Sequence, residues 1–156
     1  MMKNLFDIYK GKTVLVTGHT GFKGSWLSIW LKELKAKVIG YALDPYTEKD
    51  NFAVTGLAKK IKDIRADVRD FNKLKEVFDK YSPEIVFHMA AQSLVSKSYL
   101  NPKDTYDVNV GGTVNLLECA RKSKSVKVII NITSDKCYEN KEWIWGYREF
   151  DPLGGY

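Results

Sequence analysis

Short, unbroken apolar runs alternate along the chain with segments in which apolar residues recur every three or four positions. Such runs are typical of strands buried on both faces, and such recurrence is typical of amphipathic helices. The pattern predicts strands at 13–18, 37–43, 60–66, 84–90 and 126–133, and helices at 23–35, 71–81 and 102–123. Strand and helix alternating in this way imply right-handed crossovers. We therefore predict a doubly wound parallel α/β sheet, covered on both faces.

The first predicted helix carries an apolar stripe of Trp26, Leu27, Trp30, Leu31 and Leu34. Ahead of it, three glycines spaced G-x-x-G-x-x-G follow the first predicted strand. Glycine allows a tight turn and a close approach of the backbone to a pyrophosphate, and a helix N-terminus favours that anion. This strand–turn–helix context predicts a dinucleotide-binding Rossmann fold. The residues predicted to bind the cofactor here are Gly18, Thr20, Gly21, Phe22, Lys23 and Gly24.

Further cofactor contacts are predicted where the later strands end. Asp44 follows the second predicted strand, twenty residues past Gly24, where a carboxylate can bind the adenosine ribose hydroxyls. A carboxylate at this position repels a 2′-phosphate, so NAD is favoured over NADP. Asp67 and Val68 are expected to flank the adenine, and Ala90, Ala91 and Gln92 to border the cofactor beyond the fourth strand. His19 and His88 are interpreted as structural.

Composition narrows the class of protein without deciding its function. With 156 residues, 44% of them hydrophobic and 28% charged, the chain is typical of a globular domain. The net charge of +6 is spread along the chain, which fits a solvated surface or an anionic small substrate better than nucleic acid. No apolar run approaches the roughly 18 residues of a membrane span, and no secretory signal opens the sequence, so a cytoplasmic setting is expected. Cys119 and Cys137 have no metal-ligand partners in the sequence, and no metal site is predicted.

Several motifs together resemble the extended short-chain dehydrogenase/reductase superfamily. They are VTGHTGFKG at 16–24, DVRD at 67–70, HMAAQ at 88–92 and NVGGT at 109–113. Within the superfamily the chain resembles the CDP-glucose 4,6-dehydratases, on the stretches GHTGFKGSWLSIWL, EIVFHMAAQSLV and TSDKCYENKEWIWGYRE. The resemblance covers nearly the whole chain.

The resemblance implies a reaction in which NAD takes hydride from C4 of a nucleotide sugar, most readily CDP-glucose. Water then leaves across C5 and C6, and the hydride returns to C6. It further implies that Thr133 assists the C4 hydroxyl and that Asp135 and Lys136 serve the elimination. Asn109 is expected to help shape the active-site helix and to lie among the cofactor-binding residues. Thr133 and Asp135 share a face if the fifth strand continues, whereas Lys136 joins them only if the chain turns. The acid and base roles can be exchanged, and a surface ion pair is the alternative reading.

The resemblance also predicts what lies outside this sequence. Members use a Tyr-x-x-x-Lys pair, and Tyr156 matches the tyrosine that precedes that motif. The chain is therefore expected to be the N-terminal NAD-binding part of a longer, homo-oligomeric enzyme, with the substrate domain absent and no dehydratase turnover by itself. Two alternatives stay open. One is another sugar-nucleotide dehydratase or epimerase, and the other is a non-catalytic NAD-binding module.

Overall fold

A single five-stranded parallel sheet forms the centre of the computed structural model, which describes residues 5–154 apart from the side chains at positions 5, 6 and 135. The strands are β1 Thr13–Thr17, β2 Lys37–Ala42, β3 Lys62–Arg65, β4 Ile85–His88 and β5 Val128–Asn131. Their order is β3-β2-β1-β4-β5, so the direction of winding reverses between β1 and β4. This arrangement confirms the doubly wound prediction.

The carboxyl ends of the strands lie level with one another. Thr17 pairs in register with Tyr41 on one side and with His88 on the other, and His88 pairs with Asn131. The loops that follow β1, β4 and β5 therefore leave the sheet at the same edge. Ligands of open α/β sheets bind at this edge, where the winding reverses.

The helices are α1 Phe22–Glu33, α2 Asn51–Val54, α3 Phe71–Tyr81, α4 Val95–Leu100, α5 Pro102–Tyr106 and α6 Gly112–Lys122. Helix α3 has the predicted bounds because its ends are chemically marked. Asp70 caps its first turn by accepting the Lys73 N–H at 2.9 Å, and Ser82, with φ of 46°, closes it before Pro83. Helices α2 and α4 were not predicted, since four to six residues are too few to show a helical period. Short 3₁₀ turns span Leu5–Tyr9, Leu57–Lys59 and Asp135–Cys137.

The predicted helix at 102–123 is not regular. A π-helical segment, Asp107–Gly111, lies between α5 and α6. The wider π turn shifts the side chains that follow it around the helix axis, and such segments are frequent at functional sites. Periodicity in the sequence does not reveal it, because one extra residue per turn blurs the pattern only slightly.

Helix α1 contacts the sheet through small residues, which corrects the predicted apolar stripe. Its buried positions are Gly24, Ser25, Ser28 and Leu31, whereas Trp26 and Trp30 are 54% and 56% exposed. The buried hydroxyls are satisfied inside the helix, with Ser25 Oγ donating to Phe22 O and Ser28 Oγ to Gly24 O. Small side chains let the helix axis approach the strands closely. The packing gained by this close approach outweighs the apolar area that burial of the tryptophans would remove from water.

Two apolar clusters cover the two faces of the sheet. One joins β1, β2 and β4 to α3 and α6 around Leu15, Leu74 and Leu116, and the other joins β1 and β2 to α1 around Val16 and Leu31. Strand β5 departs from the expected coverage, since Val128 and Ile129 at this edge are 47% and 37% exposed. Within residues 5–154, no helix has the length and apolar character needed to cross a bilayer.

Candidate functional site

The glycine turn after β1 is packed against the loop that follows β4. Gly18 has φ of 72°, and its N–H donates to Tyr41 O at 2.9 Å. A Cβ on Gly18 would lie 2.8 Å from the backbone of Met89 and Ala90. Only glycine fits at this position, because both the conformation and the close contact exclude a side chain.

Gly24 and Gly21 are required for different reasons. A Cβ on Gly24 would lie 2.1 Å from Gly18 O, so Gly24 is needed for α1 to pack on the turn. At Gly21 the backbone is ordinary, with φ of −71°, and a Cβ would meet Gly18 O at 3.3 Å, which a small shift relieves. Gly21 is exposed at the start of α1, and no side-chain hydrogen bond caps this helix end. The fold itself therefore tolerates a side chain at position 21. A phosphate that approaches the helix N-terminus requires glycine there, and the turn fits a dinucleotide.

The remaining residues of the turn divide into buried and exposed positions. Thr20 is buried, whereas the side chains of Phe22 and Lys23 are exposed beside the N-terminus of α1. Lys23 adds a positive charge where the helix dipole already favours an anion.

A buried chain of hydrogen bonds joins the ends of β1 and β4 to α6. Thr17 Oγ1 accepts the N–H groups of Met89 and Ala90 at 3.0 and 3.1 Å, and lies 2.7 Å from His88 Nδ1. His88 Nε2 lies 3.1 Å from Thr113 Oγ1, which donates to Asn109 O at 2.6 Å. Burial lowers the pKa of His88 to about 4, so the ring is neutral at pH 7.

Asn109 is clamped to the backbone of the loop after β4. Its Oδ1 accepts the Gln92 N–H at 2.7 Å, and its Nδ2 donates to Gln92 O at 3.0 Å. The Gln92 side chain turns away and bonds the loop to Leu94 and Thr105. Asn109 and Gln92 thus shape the loop, with Ala90 half-buried and Ala91 exposed at its surface.

A second network links the glycine turn to the end of β2. His19, fully buried, has Nε2 2.7 Å from Asp63 Oδ1, and Asp63 Oδ2 accepts from Arg65. Arg65 Nη1 reaches Asp44 Oδ1 at 3.3 Å. Burial lowers the pKa of His19, although its hydrogen bond with Asp63 opposes this shift. Both histidines are buried and hydrogen-bonded to neighbouring elements of the fold.

The residues predicted to flank the adenine are already engaged within the protein. Asp67 receives hydrogen bonds from the backbone and side chain of Arg69, which hold the pKa of its carboxyl below the usual range. Arg69 also pairs with Asp104 of α5 at 2.6 Å. Val68 is buried, and its side chain packs where a Cβ on Gly112 would lie. The Val68 side chain is thus inaccessible to a ligand, and the Asp67 carboxylate is already shared with Arg69.

The candidate catalytic segment begins just past β5. The strand ends at Asn131, two residues before Thr133, so the continued strand considered above is not formed. The chain turns instead, as a 3₁₀ helix over Asp135–Cys137 in which Ser134 Oγ accepts the Lys136 N–H at 3.0 Å. The turn that Lys136 needed is present. Thr133 and Lys136 are exposed. Tyr156 lies outside the described residues.

A closed aromatic loop follows this turn. An antiparallel bridge pairs Tyr138 with Leu153, and Glu139 N–H donates to Pro152 O at 2.9 Å. Inside the loop, Tyr138 and Tyr147 are stacked with ring centroids 5.1 Å apart. Across residues 5–154, no group of three or more His, Cys, Asp and Glu residues is placed to hold a metal ion.

Comparison with known proteins decides the family. A family model described as GDP-mannose 4,6 dehydratase matches residues 15–152, which is most of the chain. The chain belongs to the GDP-mannose 4,6-dehydratase family.

Similarity to individual proteins supports this family assignment. A CDP-glucose 4,6-dehydratase of Salmonella typhimurium is 54% identical over 150 residues, covering 96% of this chain and 42% of the relative. An epimerase of Methanothermobacter thermautotrophicus superposes with a TM-score of 0.80 at 30% identity, over 94% of this chain and 42% of that one. A UDP-glucose 4-epimerase of Brucella ovis, solved in complex with NAD, has a TM-score of 0.78 at 27% identity, again over 94% and 42%. The chain therefore spans about two fifths of the length of these relatives.

Three structural roles were not predicted from the sequence. Thr17 organises the loop after β4, Thr113 holds His88, and Arg65 holds Asp44. Thr17 ends an apolar strand and Arg65 lies in a weakly patterned one, so neither stands out. The only signal was the polar character of His88 at the end of a buried strand, because a buried imidazole needs hydrogen-bond partners.

Proposed function

We propose that this chain binds NAD and supplies the cofactor-binding part of a nucleotide-sugar 4,6-dehydratase that acts on CDP-glucose. The observation that carries the proposal is the placement of two features at the same edge of the sheet. The glycine turn leaves this edge after β1, and the Thr133–Lys136 segment leaves it after β5. The 54% identity to a relative named CDP-glucose 4,6-dehydratase supports the choice of reaction and of substrate.

The proposed cofactor contacts follow the geometry of the turn. The pyrophosphate lies against the N-terminus of α1 beside Gly21, where the helix dipole and free backbone donors favour an anion. Asp44 binds the adenosine ribose hydroxyls, because its side chain is 88% exposed just past β2. Ala90, Ala91 and the backbone of Gln92 border the cofactor where it crosses the strand ends, and Asn109 keeps that border in shape. NAD, when bound, supplies the hydride acceptor.

The proposed roles in the chemistry belong to residues past β5. Thr133 hydrogen-bonds the C4 hydroxyl of the sugar. Elimination across C5 and C6 needs one group to take the C5 proton and another to protonate the departing C6 oxygen, and Asp135 and Lys136 provide an acid–base pair for these steps. Proton transfer by positioned groups contributes about 10²–10⁴-fold to a rate.

The test uses the complete protein with CDP-glucose. Asp135→Asn and Lys136→Met are each expected to abolish the dehydrated 4-keto-6-deoxy product, while a single turnover still shows reduction of bound NAD as C4 is oxidised. Lys141→Met is the matched control, since Lys141 is paired with Glu139 at 2.6 Å, outside the turn. Wild-type dehydration rates in both variants would remove the pair from the mechanism.

Other substrates separate the alternatives. Incubation with CDP-, dTDP-, UDP- and GDP-linked glucose and with GDP-mannose is expected to give a 4-keto product fastest from CDP-glucose. A C4-inverted sugar as the only product would favour an epimerase, and tight NAD binding without any turnover would favour a non-catalytic module. Assembly as a homo-oligomer and a cytoplasmic location stay predictions.

A further inference from the structure

Arg65 is held firmly in place at the end of β3. Its Nε and Nη2 atoms donate to Asp63 Oδ2 at 3.1 and 2.9 Å. Its guanidinium lies over the ring of Phe52, 4.6 Å from the centroid. Two adjacent donors on one carboxylate oxygen and an aromatic face below the plane leave the group little freedom to turn.

The third nitrogen of the guanidinium, Nη1, reaches the end of β2. Nη1 lies 3.3 Å from Asp44 Oδ1 and 3.3 Å from Leu43 O. Asp44 is otherwise a solvent-exposed side chain on a loop, so an ion pair with a fixed guanidinium restricts where its carboxylate points. The support extends to the glycine turn, because Asp63 Oδ1 is bonded by His19 inside the core.

We propose that Arg65 determines which dinucleotide this site prefers. It orients the Asp44 carboxylate toward the adenosine ribose, and it becomes the partner of a 2′-phosphate when that carboxylate is removed. This inference rests on the proposed binding of NAD by this chain.

The charges at this position give the physical reason. With Asp44 present, the guanidinium is balanced by two carboxylates, and the one nearer solvent repels a 2′-phosphate. Replacing Asp44 with asparagine removes a negative charge and leaves Nη1 with only neutral acceptors, the Leu43 carbonyl and the new amide oxygen. A guanidinium binds phosphate oxygens more strongly than such neutral groups. Loss of the repulsion between Asp44 and the 2′-phosphate would tighten NADP binding whether or not Arg65 is present. An additional gain that requires Arg65 identifies Arg65 as a direct partner of the phosphate.

The experiment measures dissociation constants of NAD and NADP by titration calorimetry on the complete protein. Wild type is expected to prefer NAD. Asp44→Asn is expected to bind NADP about tenfold more tightly than wild type does, as one charge-assisted hydrogen bond would give. In the Arg65→Met background, the same Asp44→Asn change should improve NADP binding only by the part that comes from lost repulsion, about two- to threefold. Arg65→Met alone should weaken NAD binding about three- to tenfold, because Asp44 loses its support.

Controls separate Arg65 from general charge and from misfolding. Lys62→Met removes a cation from the other face of β3 and should leave both dissociation constants unchanged. Arg65→Lys keeps the charge and should recover part of the NADP gain, and circular dichroism melts verify folding. If Arg65→Met does not fold, Arg65→Gln takes its place in the cycle. An equal NADP gain with and without Arg65 would overturn the inference. A wild-type protein that binds neither dinucleotide would instead overturn the proposed function.

Discussion

Thr17 Oγ1 lies 2.7 Å from Nδ1 of His88, and this contact joins the carboxyl ends of the two strands between which the sheet reverses its winding. Because Thr17 Oγ1 also accepts the N–H groups of Met89 and Ala90, its own hydrogen is directed at Nδ1. The imidazole must then carry its proton on Nε2, which donates to Thr113. One hydroxyl group thus fixes both a loop and a tautomer.

Replacing Thr17 with valine keeps the shape but removes the hydroxyl. The buried N–H groups after β4 and His88 Nδ1 then lose their partner, so we expect a loss of about 2–4 kcal/mol in the free energy of unfolding. Urea denaturation measures it. Thr17→Ser keeps the hydroxyl and should recover most of the loss. A valine variant as stable as wild type would show that the contact is dispensable.

Stability should decrease in mild acid because of the buried histidines. His88 has a pKa of about 4 in the folded chain, where burial disfavours its charged form, against an ordinary value of 6.5. The unfolded chain therefore binds more protons between these values, and folding stability is lost as the pH falls from 6.5 toward 4, by up to roughly 3 kcal/mol. His19 acts in the same direction, since burial also lowers its pKa.

Unfolding free energies measured in urea from pH 7.5 to 4.5 test this dependence. The curve of His88→Gln should be flatter than that of wild type, because carboxylates titrate equally in both proteins and cancel in the comparison. Parallel curves would contradict the assignment to His88.

The glycines of the turn should separate folding from binding. Gly24→Ala places a Cβ 2.1 Å from Gly18 O, so we expect destabilisation of about 3 kcal/mol. Gly21→Val should change stability by only about 1 kcal/mol but weaken NAD binding about tenfold or more, because the side chain blocks the approach to phosphate. Thermal melts and calorimetric titration measure the two effects. Undiminished NAD affinity in folded Gly21→Val would argue against the phosphate position.

Asn109→Asp tests the clamp on the loop after β4. The substitution is isosteric, but the second carboxylate oxygen would face Gln92 O, where the amide now donates at 3.0 Å. We expect a loss of about 1–3 kcal/mol in stability and faster hydrogen exchange at the amides around Gln92. Asn72→Asp, at an exposed position early in α3, is the matched control and should be neutral. Unchanged exchange around Gln92 would show that the clamp is not needed.

The strands and the longer helices were predictable because their signals are local. β1 and β4 are continuous apolar runs, and α3 is marked by Asp70 at one end and Ser82-Pro83 at the other. Every strand is shorter than predicted, because the ladder stops where the chain turns away, while apolar residues such as Leu43 and Ile132 continue past its end. The tryptophans of α1 were assigned to the wrong face, since helical spacing gives a stripe but not the depth to which small residues bring the helix.

By itself, the sequence determined the succession of the strands and the longer helices along the chain, the glycine turn and the carboxylate twenty residues beyond it. These features depend on neighbouring residues and on fixed spacings, which can be recognised in the sequence. Only the tertiary structure decided which polar groups meet: Thr17 with His88, Asn109 with Gln92, and Arg65 with Asp44, pairs that lie between 17 and 71 residues apart along the chain. The physical reason is that a hydrogen bond needs atoms within about 3 Å, and parallel strands bring together residues whose separation along the chain carries no periodic signal.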